Sequence, residues 1–91
     1  MDKAFFESFE QHKKEFASRA GLGDEVRAEL VLGSGRVMLV DKIVETTDAW
    51  LHVDAFEIDD EDKLISIVLP YYQINHVVFM KPKPKPQAGF R

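Results

Sequence analysis

Between Asp2 and Ala20 the apolar residues Phe5, Phe9, Phe16 and Ala20, with Phe6 and Ala17 beside them, recur at spacings of three, four and seven. Those spacings lay them along one stripe of an α-helix. Asp2 is placed to accept hydrogen bonds from the first free N–H groups, and Gly21 to take the left-handed conformation that closes the last turn. The pattern predicts a helix over residues 3–20. Its phenylalanine stripe is read as a packing face.

After Gly21-Leu22-Gly23 the period drops to two. Val26, Ala28, Leu30 and Leu32 alternate with Glu25, Arg27 and Glu29 up to Gly33-Ser34-Gly35, which predicts a half-buried strand ending in a tight turn. Residues 36–45 are apolar on both faces with Asp41-Lys42 in the middle, as a bent central strand would be. Thr46-Thr47-Asp48 breaks the run. A third strand then carries Leu51, Val53 and Ala55 on one face and Trp50, His52, Asp54 and Phe56 on the other. The acidic stretch from Glu57 to Lys63 holds a hairpin tip, expected to be solvated and dispensable from Asp59 to Asp62. It lacks the alternating ligands and turn glycine of a calcium loop. Residues 64–69 and 74–80 read as two final strands that are apolar on both faces, so something must cover their outer side. The helix and a neighbouring subunit are the expected covers.

Composition narrows the reading. Ninety-one residues suit one domain, and with no cysteine neither disulfides nor thiolate metal sites reinforce a small core, which makes self-association the expected way to bury more surface. No apolar run approaches a membrane span, and the start Met1-Asp2-Lys3-Ala4-Phe5-Phe6 lacks a signal-peptide layout, so a cytoplasmic protein with no membrane partner is expected. The net charge of −4 is lopsided: acids dominate the middle, whereas Lys81, Lys83, Lys85 and Arg91 close the chain without an acid among them. A general basic surface for duplex nucleic acid is absent. Lys81-Pro82-Lys83-Pro84-Lys85-Pro86 predicts an extended basic tail over residues 81–91, either a solubilising spacer or a phosphate-binding arm.

The order of elements, a helix, a glycine pair and about five strands with a short turn before the last, is shared by SH3-like barrels. Leu30-Val31-Leu32-Gly33-Ser34-Gly35-Arg36-Val37 resembles the opening of the first Sm motif, and Ile43, Asp48 and Leu51-His52-Val53 its second half. Tyr72-Gln73-Ile74-Asn75-His76-Val77-Val78 resembles the end of the Hfq motif. The chain thus resembles the Sm-like family, which includes bacterial Hfq. The resemblance implies a mainly β domain over residues 1–80, with helix 3–20 and a strongly bent five-stranded antiparallel barrel over 24–80. It further implies a homo-oligomeric ring that binds single-stranded RNA. The chain departs from the family where Val40 or Asp41 replaces a bending glycine and Ala49-Trp50 a base-binding asparagine. Pro70-Tyr71-Tyr72-Gln73 likewise replaces the Arg-Gly or Lys-His pair. These departures keep open an oligomer with a structural or protein-binding role.

On that resemblance the loops carrying Asp48, Trp50, Tyr71, Tyr72 and Gln73 face the pore, where flat side chains stack on bases and polar groups meet phosphates or bases. Lys81, Lys83 and Lys85 would add a salt-sensitive contribution. A plainer reading has Trp50 closing the barrel end and one tyrosine packed under the turn. Arg36 and Lys42 would line a ring surface or simply be solvated. The subunit interface is expected where the fourth strand, through Leu64, Ile65, Ile67 and Leu69, joins the fifth strand of a neighbour, through Ile74, His76, Val78 and Met80. His12, His52 and His76 fall on three different elements, and neither a phosphate loop, a nucleophile elbow nor a metal-ligand spacing is present. No catalysis, cofactor, metal or small-molecule substrate is expected.

Overall fold

The computed structural model describes residues 1–23 and 25–82. Two helices in tandem, α1 (Lys3–Glu7) and α2 (Phe9–Ala20), precede strands β1 (Arg27–Leu32), β2 (Val37–Thr46), β3 (Trp50–Glu57), β4 (Asp60–Pro70) and β5 (Ile74–Met80). A single 3-10 turn, Tyr71–Gln73, links β4 to β5. The expected continuous helix is broken at Ser8, whose ψ of 18° leaves the helical range and whose N–H donates to the Phe5 carbonyl at 3.2 Å. Phe6 and Phe9, on either side of the break, are both buried in the core. Asp2 caps α1 by accepting from the Phe5 N–H at 3.1 Å. Gly21, at φ 69°, closes α2 with the Leu22 N–H donating to the Ala17 carbonyl at 2.8 Å.

The strands form one antiparallel sheet in the order β4-β3-β2-β1-β5. The β1–β2 hairpin turns on Gly35, whose φ of 94° suits glycine, with the Gly35 N–H on the Leu32 carbonyl at 2.9 Å. β2 bends without a glycine. Its pairing with β3 slips between Val40 and Lys42 and again between Ile43 and Glu45, leaving Asp41 and Val44 as bulged residues. A bulge inserts an unpaired residue and turns the strand, so two of them three residues apart curve β2 where no glycine is present. The sheet is nevertheless open. β5 pairs with β1, not with β4, and the Gly33 N–H donates to the Gln73 carbonyl at 2.8 Å, holding the connecting turn over the β1–β2 hairpin.

The core lies on one face of this sheet. Ala28, Leu30, Leu32, Met38, Leu51, Val53, Ala55, Leu69 and Ile74 join Phe6, Phe9 and Tyr71 in a single cluster, with Val77 and Phe79 packed against it. The helices therefore cover the inner face, contrary to the expectation that they shield the outer side of the last strands. Phe9 and Phe16 both reach Phe79, at ring separations of 5.5 and 6.3 Å. Because β4 and β5 are apolar on both faces, periodicity carries no sign of which face is inner.

The acidic tip is correctly placed as a hairpin, turning at Ile58-Asp59, but it is not simply solvated. The Arg27 guanidinium, largely buried at the start of β1, donates to both Glu61 oxygens, at 3.4 and 3.1 Å. Arg36 holds Glu57 at 2.7 Å. The Arg27 Nε, buried without a hydrogen-bond partner, lies 3.9 Å from Glu29. Two acids of the stretch thus tie the hairpin to the rest of the sheet.

Candidate functional site

The β2–β3 loop is built around Thr47. Its hydroxyl accepts from the Ala49 and Trp50 N–H groups, at 3.2 and 3.0 Å, and donates to the Trp50 carbonyl at 3.1 Å. This local closure projects Asp48 into solvent and starts β3 at Trp50. Trp50 lies opposite Pro70, so the end of β4 and the 3-10 turn are brought to the same end of the sheet as the loop. Of the residues expected there, Asp48, Trp50, Tyr71, Tyr72 and Gln73 are gathered in two neighbouring connections. Lys81 is exposed beyond β5, and Lys83 and Lys85 lie outside the described residues.

The two adjacent tyrosines divide. Tyr71 is buried, its ring 6.0 Å from Phe6, and its hydroxyl donates to the Thr47 carbonyl at 2.7 Å. It locks the 3-10 turn to the β2–β3 loop, and its ring is not open to a base. Burial pushes its phenol above the usual range. Tyr72 is 82 % exposed and, with Leu32, Gly33, Ser34 and Gln73, lines an open surface cavity of about 370 Å³. Trp50 is 44 % exposed, on the outer side of β3, and does not close the core. Tyr72 and Trp50 are therefore the flat side chains accessible for stacking.

Lys3 joins this end of the molecule, a contact that no local pattern announces because the partners are 45 residues apart. Its ammonium donates to Asp48 at 2.9 Å and lies 3.7 Å from Glu7. The hydrogen bond to Asp48 raises the Lys3 ammonium above its ordinary value, and the same bond lowers the Asp48 carboxyl. Asp48 is thus a partner of the helix before it is anything else. Arg36 is likewise occupied by Glu57, whereas Lys42 is exposed opposite Asp54.

The expected interface residues split by face. Leu69 and Ile74 are core residues, and Ile65 and Ile67 face inward against the core, so their side chains are turned away from a neighbour. Leu64 and Val68 project outward, 53 and 55 % exposed. On β5, His76, Val78 and Met80 lie on the outer side, opposite Val31, Glu29 and Arg27. One outer row crosses every strand, from Leu64 through Phe56, Leu39 and Glu29 to Val78. Both ends of that row are apolar and stand at sheet edges.

Chemistry requiring convergent groups is sparse. His52 Nε2 is 2.6 Å from Ser66 Oγ on the exposed outer side of β3 and β4, outside any of the cavities described. Among the described residues no group of three His, Asp or Glu side chains is arranged to hold a metal ion, and no helix is long and apolar enough to cross a membrane. No family model matches the chain, and no curated protein or solved structure matches it.

Proposed function

We propose that the chain is a subunit of an Sm-like ring that holds single-stranded RNA and catalyses no reaction. The observation that carries this reading is the open sheet itself, whose two edge strands, β4 and β5, each have a side that pairs with no described strand, beside outward apolar side chains. Such an edge invites another strand. Adding β4 of one subunit to β5 of the next buries Leu64 and Val68 beside Val78 and Met80 and leaves the same two edges free at the ends of the assembly. A head-to-tail contact of this kind closes into a ring when the rotation permits. Each subunit then contributes one Tyr72 and one Trp50, and repetition converts a weak stacking site into useful avidity.

The test uses Trp50, the single tryptophan of the chain. Titration with short U-rich and A-rich RNAs, at several salt concentrations, is expected to quench its fluorescence. Absence of any response at low salt, together with no binding by an independent method, rejects the RNA-binding half of the proposal. A structural or protein-binding oligomer is the second reading. It is favoured by the net charge of −4 and by the commitment of Tyr71 to the core and of Lys3 to Asp48. It predicts assembly without RNA binding.

A further inference from the structure

β2 pairs with β1 only through Val37, Met38 and Leu39, and beyond its bulges it continues to Thr46 with β3 on one side alone. The other side of residues 40–46 pairs with no described strand. That edge is accessible: Val44 is 44 % exposed, and a groove of about 950 Å³ lies between Lys42 to Thr46 and the helix break at Phe6 to Gln11. Two unused charges stand on it, since Lys42 and Glu45 are exposed and neither side chain has an ion pair or hydrogen bond among the described residues. The bulge at Val44 puts them on a common side. Residues three apart on a regular strand point to opposite faces, yet Lys42 lies opposite Asp54 and Glu45 opposite His52, both on the outer side. Ile43 and Thr46 lie opposite the core residues Val53 and Leu51.

We propose that a second copy of the chain occupies this edge, β2 against β2 and antiparallel, about a two-fold axis that passes between Ile43 and Val44. In that register Lys42 of each copy stands opposite Glu45 of the other, and Ile43 opposite Val44. The symmetry makes every contact twice. The axis is normal to the joined sheet, so the outer faces of both copies lie on one side and Lys42 meets Glu45 there. Opposite charges directly across neighbouring strands stabilise a pair, and like charges oppose it.

Charge selects this register. Moving the pairing by one residue either way sets Lys42 against Val44 or Thr46 and loses both ion pairs, and moving it by three sets Lys42 against Lys42 or Glu45 against Glu45. The bulge selects the occupant. It spoils the edge for a regular strand, whereas a second copy carries the same irregularity in the reverse sense, so Val44 meets Ile43. The contact is short, from Lys42 to Glu45 on each copy, against about 20 to 30 residues a side in a stable complex. Single chains therefore pair weakly, at about millimolar concentration, and a ring joined through β4 and β5 multiplies the contact. The pairing does not rest on that ring or on RNA binding.

The full chain carrying Val78→Lys, which blocks the β5 edge, isolates the contact, and Val68→Lys is a second background should the first fail to fold. Sedimentation equilibrium from about 10 μM to about 1 mM is expected to show the mass rising from 10.4 kDa toward twice that value. Adding Lys42→Glu or Glu45→Lys should weaken the association about tenfold or more, because each turns two opposite-charge contacts into two like-charge ones. An equimolar mixture of those two variants should recover it, since each copy then offers the charge its partner needs, and the double variant should recover it alone. A mass that stays at 10.4 kDa throughout, single variants that associate as strongly as their background, or a mixture no stronger than either variant overturns the proposal. A parent that forms no ring at micromolar concentration leaves every one of these expectations in place, so the two contacts fail separately.

Discussion

Replacing Phe9 by alanine isolates the role of the helices. Phe9 is 2 % exposed and its ring meets Phe5, Phe6 and Phe79, at separations of 6.2, 6.2 and 5.5 Å, so it joins the helix break to the last strand. Truncation of a buried phenylalanine removes its transfer free energy and leaves a cavity, together about 3 to 5 kcal/mol. A domain of this size has a total stability of about 5 to 14 kcal/mol. The variant is therefore expected to lose about a fifth or more of its stability and to melt about 12 °C or more below the parent. Urea unfolding followed by circular dichroism measures the loss directly, and Phe9→Leu, which keeps much of the volume, should recover part of it. A loss below about 1 kcal/mol, the range of ordinary surface changes, would refute the inner-face packing and return the helices to a peripheral role.

Other expectations follow from the same geometry. Glu61→Gln should cost about 1 kcal/mol, because Arg27 loses the nearer of its two acidic partners, keeping Glu29, while remaining largely buried, and the exposed half of the pair is screened; an unchanged urea midpoint would show that the hairpin clamp contributes nothing. Tyr71→Phe removes the donor to the Thr47 carbonyl and should cost about 1 kcal/mol while leaving Trp50 fluorescence able to report RNA. The Asp48 carboxyl is held low by Lys3, so the stability it supplies is present above the ordinary carboxylate pKa and is lost as pH falls through the depressed one. Lys3→Met should therefore return the Asp48 titration, followed by carboxyl NMR, to its ordinary position, and no movement would deny the contact. Tyr72→Ala should leave the fold intact and weaken RNA binding by about 1 to 3 kcal/mol at every salt concentration; equal binding by parent and variant removes Tyr72 from the site.

Much of this architecture is legible in the residue pattern because it is local. The caps at Asp2 and Gly21, the glycine turn at Gly35 and the period-two strands are written in neighbouring residues. What escapes the pattern is decided by distant partners. The helix breaks at Ser8, and Tyr71 rather than Tyr72 turns inward, its ring against Phe6 and its hydroxyl on the Thr47 carbonyl. The bend in β2 was expected, yet its means, bulges at Asp41 and Val44, depends on the register with β3. β4 and β5 are apolar on both sides, so only three-dimensional packing distinguishes Leu69 in the core from Val68 on the surface. Arg27 and Glu61, 34 residues apart, meet only once the sheet has formed.

The central claim is that the two open edges of the sheet add to one another, and the mass of the particle in solution tests it most directly. The chain mass is 10.4 kDa. Light scattering at micromolar concentration should give a discrete multiple of that mass, and Val68→Lys or Val78→Lys should reduce it to the single-chain value while circular dichroism keeps the β signature. A parent protein that scatters as a stable 10.4 kDa monomer would contradict the account.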